Sequence, residues 1–222
     1  MEVLLIVGIL ALIILIAVIA HQVEKKRRAA FQAWASKNGW SYNPARDREL
    51  YHRFNFLNKL NKGSNRYGFH YLGGQWQGYE ACGFSFHYET HSSDSKGNRT
   101  THHHYLGVVV LEIEKSFPEL RIQPEGWLHR FGHAVGFQDI DFESVEFSKA
   151  FEVKSEDKKF AYDFCHTGMM EYLLENRSTS MELEGRFLVS FDRNRLEPDE
   201  IEPHLNHLIS VRDRMPKFLF RS

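Results

Sequence analysis

Five of the chain's thirteen histidines crowd into residues 87–105, HYETHSSDSKGNRTTHHHY. Imidazole nitrogens beside a carboxylate are zinc-ligand chemistry, and histidine is also the side chain that titrates near neutral pH. The central Asp-Ser-Lys-Gly-Asn suits a hairpin with a three-residue loop, Ser95-Lys96-Gly97, with Gly97 in the left-handed position of a bulge. That turn pairs Asp94 with Asn98, Glu89 with His103 and His87 with Tyr105. Side chains alternate across a strand, so His87, Glu89, His91 and His103 share one face as the expected zinc ligand set. His102 and His104 go to the other face with Phe86 and Tyr88. A loop one residue longer exchanges the two faces. In the first register the diagonal pairs lie about 7–8 Å apart at Cα, so the set closes only if the tip twists. The competing reading is a solvated tip, because hairpin ends are commonly polar.

Elsewhere the residue patterns carry little chemistry. The chain has no GxSxG, P-loop, GxGxxG or CxxC motif. His129 and His133 stand four apart but lack the glutamate of an HExxH site, and Gly132 weakens a helix there. Cys165 and His166 are adjacent, which points them about 100° apart on a helix and argues against a nucleophile–base pair. Glu143, Glu146, Glu152, Asp157 and Asp163 show no acid–base spacing and read as solvated faces. Trp76, Trp127 and the eighteen phenylalanines read as core.

The elements that must position these residues follow from periodicity and punctuation. "QVEKKRRAAFQAWASKNG" reads as helix, with Phe31 and Trp34 on one face and Gly39 as the stop. Asn43-Pro44 marks a turn, a short helix starts near Asp47, and "LNKGSNRYG" reads as a loop. Strand-like runs follow in "RYGFHYLGGQW", "GYEACGFSFHYE" and "HHHYLGVVVLEIE", with turns expected at Gly73-Gly74 and Gln77-Gly78. A separate short strand is expected at "LRIQ", a short helix over 127–134, and a strand at "KAFEVKSE". "EDKKFAYDFCHTGMMEYLLEN" reads as helix with a break near Thr167-Gly168, and "SMELEGRFLVSFD" as strand with a bend at Gly185. The last helix starts near Pro198 and carries Ile201, Leu205, Leu208 and Val211 on one apolar face. Strands first and helices later predict α+β, one antiparallel-sheet domain with C-terminal helices.

Composition is that of an ordinary globular chain, 222 residues with 28 Lys plus Arg against 29 Asp plus Glu. A nearly neutral balance disfavours nucleic acid as a partner. Two cysteines 83 positions apart are expected to be free thiols in a reducing compartment.

Location is set by the first twenty residues. Residues 3–20, VLLIVGILALIILIAVIA, are uniformly apolar. As a helix they rise about 27 Å, close to the hydrocarbon thickness of a bilayer. A signal peptide starts basic and has a shorter apolar run, whereas this chain starts Met1-Glu2. A retained transmembrane anchor is therefore expected over 1–22, a juxtamembrane helix over 23–40 and the α+β domain over 41–222. Lys25, Lys26, Arg27 and Arg28 follow the anchor, so the N-terminus is expected outside and the domain in the cytoplasm. The same four residues are candidates for contact with anionic lipid, at about 1 kcal/mol each.

The stretches "FQAWASKNGWSYNPARD", "FHYLGGQWQGYEACGFSFHYE", "FPELRIQPEG" and "DFESVEFSKAFEVKSEDKKFAYDFCHTGMMEYLLE" span roughly residues 31–176. They resemble a family of uncharacterised bacterial proteins in which one N-terminal anchor precedes a cytoplasmic α+β domain. The resemblance implies that architecture and an inner-membrane location, and it carries no site residue. Taken together, the expectation is a single-pass, membrane-anchored binding or scaffolding domain with an unknown protein partner and no catalysis. The alternative is a metal-binding or pH-responsive module on the His-rich hairpin. An enzyme of unrecognised type is the third reading.

Overall fold

The computed structural model describes residues 1–94, 97–125 and 140–221, with only the backbone described at 2–4. The expected helix at 127–134, with His129 and His133, and the loop residues Ser95 and Lys96 lie outside them.

Helix α1 runs unbroken over Glu2–Asn38, 37 residues or about 55 Å. It ends where Gly39 takes a left-handed conformation (φ 71°) and its amide donates back to the Ala35 carbonyl. Among the described residues this is the one helix long and apolar enough to cross a membrane. Its large apolar side chains from Leu5 to Ile19 all stand at least half exposed. The far end behaves differently. Phe31 and Ala35 are fully buried in the main core, and Trp34 packs against the rings of Trp40 and Trp76 at 5.1 and 6.2 Å. The expected juxtamembrane segment 23–40 thus continues the same helix as far as Asn38, and its Phe31 and Ala35 pack into the domain.

Among the described residues six antiparallel strands follow: β1 (Ser41–Asn43), β2 (Ser64–Trp76), β3 (Tyr79–Ser93), β4 (Arg99–Pro124), β5 (Phe151–Ser155) and β6 (Met181–Asp192). The order is β1-β2-β3-β4-β5, and β6 also pairs with β4. Residues 107–112 of β4 pair with both β3 and β6, and Leu120–Ile122 with both β5 and β6. Strands β3 and β5 therefore share one edge of β4, and β6 holds the other. Where two strands were expected around "HHHYLGV" and "LRIQ", one 26-residue strand runs through, its register with β6 shifting between Glu112 and Leu120. Irregular pairing there bends the strand without ending it.

The glycines expected to turn the chain divide in two. Gln77 and Gly78 do turn it, both at positive φ (49° and 89°), between the paired residues Trp76 and Tyr79. Gly73-Gly74 instead lies inside β2, where a Cβ on Gly74 would sit 2.6 Å from the Trp40 ring. Close approach of an indole explains that glycine. "LNKGSNRYG" is likewise more than a loop, since it opens on the end of a 3-10 turn (Asn58–Asn61) and from Ser64 onward is the start of β2.

The sheet is buried on both faces, which explains the uninterrupted apolar run Val108-Val109-Val110-Leu111. Val109 and Leu111 face the main core, while Val108 and Val110 face a second core with Phe54, Leu57, Phe84 and Phe86. Helix α2 (Glu49–Arg53) covers the second core. The main core is covered by α1, α3 (Val145–Ala150), α4 (Lys158–Phe164), α5 (Thr167–Glu175) and α6 (Ile201–Arg214). Helix α3 was not expected from periodicity, being only six residues, but Ser144 caps it through the Phe147 amide. The expected long helix breaks at Cys165-His166, two residues before the anticipated glycine, because Cys165 leaves helical geometry (ψ 44°) and His166 is extended. Helix α6 begins at Ile201, after turn residues that follow Pro198.

Cys82 and Cys165 are free and buried, one in each core. Burial pushes the Cys82 thiol up to about 12 and raises that of Cys165 as well. Both should react with an aromatic disulfide reagent only after unfolding, giving two thiols per denatured chain. Rapid labelling of the native protein would contradict this packing.

Candidate metal centre

The hairpin forms in the three-residue register. Asp94 and Asn98 are joined by a backbone hydrogen bond of 3.0 Å, Gly97 is left-handed (φ 83°), and Glu89 pairs with His103 and His87 with Tyr105. Odd-numbered residues of β3, and of β4 as far as Ile113, face the same way as the main core, but His87, Glu89 and His103 stand beyond its edge, toward the tip.

Three of the four expected ligands meet. His103 Nδ1 lies 3.1 Å from His87 Nε2 and 3.3 Å from Glu89 Oε1. The three donor atoms all fall within 4.8 Å of one another. His91 does not join them. One strand position further out, its ring nitrogens lie 3.2 Å from the Ser64 hydroxyl and 3.1 Å from that of Thr101. His102 and His104 occupy the opposite face, where Ser92 and Thr90 meet their Nε2 atoms at 2.9 and 2.8 Å and Tyr88 stacks on His104 at 4.8 Å.

The cluster has a dry side and a wet side. His87 is 2% exposed, with the Tyr67 and Tyr105 rings 4.5 and 5.1 Å away. Desolvation pushes its pKa down, keeping the imidazole neutral. The His103 side chain is 55% exposed. Asn65 organises both sides: its carbonyl meets His87 Nδ1 at 3.1 Å, and its side-chain amide donates to Glu89 Oε1 at 2.7 Å. That second bond is the main reason the Glu89 carboxyl is held below its usual range. Asn65 itself sits at φ 49°, a left-handed conformation that asparagine tolerates better than most residues. Local pattern puts Asn65 in a loop and gives it no role; the one signal it carries is the Gly-Ser-Asn run opposite the hairpin's open end.

His103 and Tyr105 also line a cavity of about 860 Å³ together with His104, Arg193, Arg195 and Glu197. Arg195 stacks over Tyr105 at 4.0 Å. One of its lining residues, Glu197, pairs with Arg27 of α1 at 3.2 Å, and Arg27 also donates to the Leu196 carbonyl at 2.6 Å. Of the four basic residues after the apolar stretch, Arg27 is thus built into the domain and Arg28 pairs with Glu24 at 2.9 Å. Lys25 and Lys26 are exposed.

The other sequence candidates resolve into structural roles. Cys165 is buried, and His166 turns its Nε2 to the Arg214 carbonyl at 3.0 Å. Asp157 caps α4, Asp163 pairs with Lys159, Glu146 with Arg177, and Glu152 with Lys154. Trp76 lies partly buried against the main core.

No family model matches the chain, and no curated protein does either. Among solved structures it is similar to the crystal structure of the mycobacterial trehalose monomycolate transport factor A, TtfA. The identity is 12% and the TM-score 0.59, over 85% of this chain and 92% of that one. At that identity the likeness is one of fold, and it shows that this chain shares the α+β architecture of that protein.

Proposed function

We propose that this chain is a single-pass protein of the bacterial inner membrane whose cytoplasmic domain binds or scaffolds a membrane partner. The observation that carries the reading is the continuity of α1, exposed and apolar over its first half and packed into the core at Phe31 and Ala35. A flexible tether would let the domain roam; an unbroken helix holds it at a fixed height and tilt above the bilayer. That geometry suits a part that must meet another membrane protein in register. The fold shared with a transport factor supports a role beside a membrane transport system.

Orientation follows from charge. Glu2 precedes the apolar stretch and Lys25 to Arg28 follow it, and that charge bias supports a cytoplasmic domain. With Arg27 and Arg28 engaged by Glu197 and Glu24, contact with anionic lipid falls mainly to Lys25 and Lys26. Reporter fusions behind Ser222 test the orientation: a cytoplasm-dependent reporter should be active and an export-dependent one silent. The reverse pattern would place the domain outside. Cross-linking in intact cells from exposed positions of the full chain should give discrete adducts with membrane transport proteins. Adducts confined to soluble proteins would remove the scaffolding role.

A further inference from the structure

We infer that His87, Glu89 and His103 form a zinc site with one coordination position left open to water, and that Asn65 is its positioning residue. A zinc tetrahedron with bonds of 2.0–2.1 Å has donor–donor edges of about 3.3 Å. Two such edges are already in place, at 3.1 Å between the imidazoles and 3.3 Å between His103 and Glu89. The third pair, His87 Nε2 and the Glu89 carboxylate, lies within 4.8 Å.

The tautomers fit as well. The Asn65 carbonyl holds the proton on His87 Nδ1, so the Nε2 lone pair points at the site. An outer-shell carbonyl on the second nitrogen is the usual companion of a metal-bound histidine. The Asn65 amide meanwhile fixes one oxygen of Glu89. Without metal, His87 Nε2 and Glu89 Oε1 share a single proton on His103 Nδ1. Zinc takes that place and the His103 ring adopts its other tautomer, so no co-reactant is needed. Packing of His87 against Tyr67 and Tyr105 keeps the rear of the site dry, while the exposed His103 leaves an entry path and the open position. His91 is excluded by its hydroxyl partners, and His102 and His104 by the sheet itself. The site holds for either orientation of the anchor.

Zinc alone, titrated into the full-length chain in detergent against a chromophoric chelator, tests it. One zinc per chain should bind more tightly than about 1 µM. His103→Ala, on the exposed side, should lose at least a hundredfold without lowering the melting temperature. Asn65→Gly keeps the left-handed backbone and the carbonyl but lacks the amide, and should lose about 10–100-fold. Its cobalt(II) visible spectrum should change with it, which loss of fold stability alone would not produce. His91→Ala and the His102→Ala/His104→Ala pair should bind as the parent does. Absence of sub-micromolar binding overturns the site. So does binding untouched by His103→Ala, or binding abolished by His91→Ala or by the His102/His104 pair.

Discussion

Leu205→Asp should lower the melting temperature of the domain by about 10–20 °C. Leu205 is fully buried at the centre of α6, flanked by Ile201, Leu208 and Val211, which are equally buried. Truncating a buried leucine costs about 2–5 kcal/mol, and an unpaired carboxyl in the same place adds a desolvation cost of several more. The total is comparable with the 5–15 kcal/mol that holds a typical domain together. At about 2–4 °C per kcal/mol for a domain of this size, the shift follows. Burial raises the introduced carboxyl's pKa in the fold above its unfolded value of about 3.9, so the folded state prefers the protonated form. The deficit should therefore shrink as pH falls toward that value and be largest at neutral pH. Circular-dichroism melts at two pH values measure both effects. A melting temperature equal to the parent's would mean that this face of α6 is not core.

Phe31→Ala should have the second-largest effect and should also loosen the anchor from the domain. Phe31 is fully buried on the membrane-proximal helix, with the His70 and Tyr42 rings stacked at 5.0 and 5.6 Å and the Arg27 guanidinium 5.6 Å from its ring. A buried phenylalanine replaced by alanine costs about 3–5 kcal/mol. Here the loss falls on the contact that fixes the direction of α1, so amide exchange over residues 29–38 should accelerate more than in the strands. Lys37→Ala, on the exposed side of the same helix, is the control and should stay within about 0.5 kcal/mol of the parent. Equal behaviour of the two variants would show that the helix is a tether with no part in the core, and would take away the rigid coupling on which the proposed role rests.

What the sequence determined by itself are features set by local rules. The apolar stretch after Glu2 specifies a long exposed helix by composition alone. Ile201, Leu205, Leu208 and Val211 specify the buried face of α6 because the helical repeat is fixed. The hairpin itself is legible because Gly97 accepts a left-handed turn, but a loop one residue longer would exchange its faces, and the pairing of Glu89 with His103 decides the register. Once that register is set, the strand period of two puts His87, Glu89 and His103 on one face and His102 and His104 on the other. Tertiary structure decided what depends on residues far apart in the chain. Gly73 and Gly74 carry a turn signal, but β1 and the Trp40 ring press against them and keep them in a strand. The "LRIQ" segment merges into β4 because the single strand β6 pairs with β4 on both sides of the irregular stretch, at 107–112 and at Leu120–Ile122. Arg27 looks like a topology signal until Leu196 and Glu197, some 170 residues later, capture it. At the cluster, alternation counts His91 in, and hydroxyls on β2 and β4 take it out. Asn65, which aligns two of the remaining three side chains, arrives through the pairing of β2 with β3, a contact that no local pattern encodes.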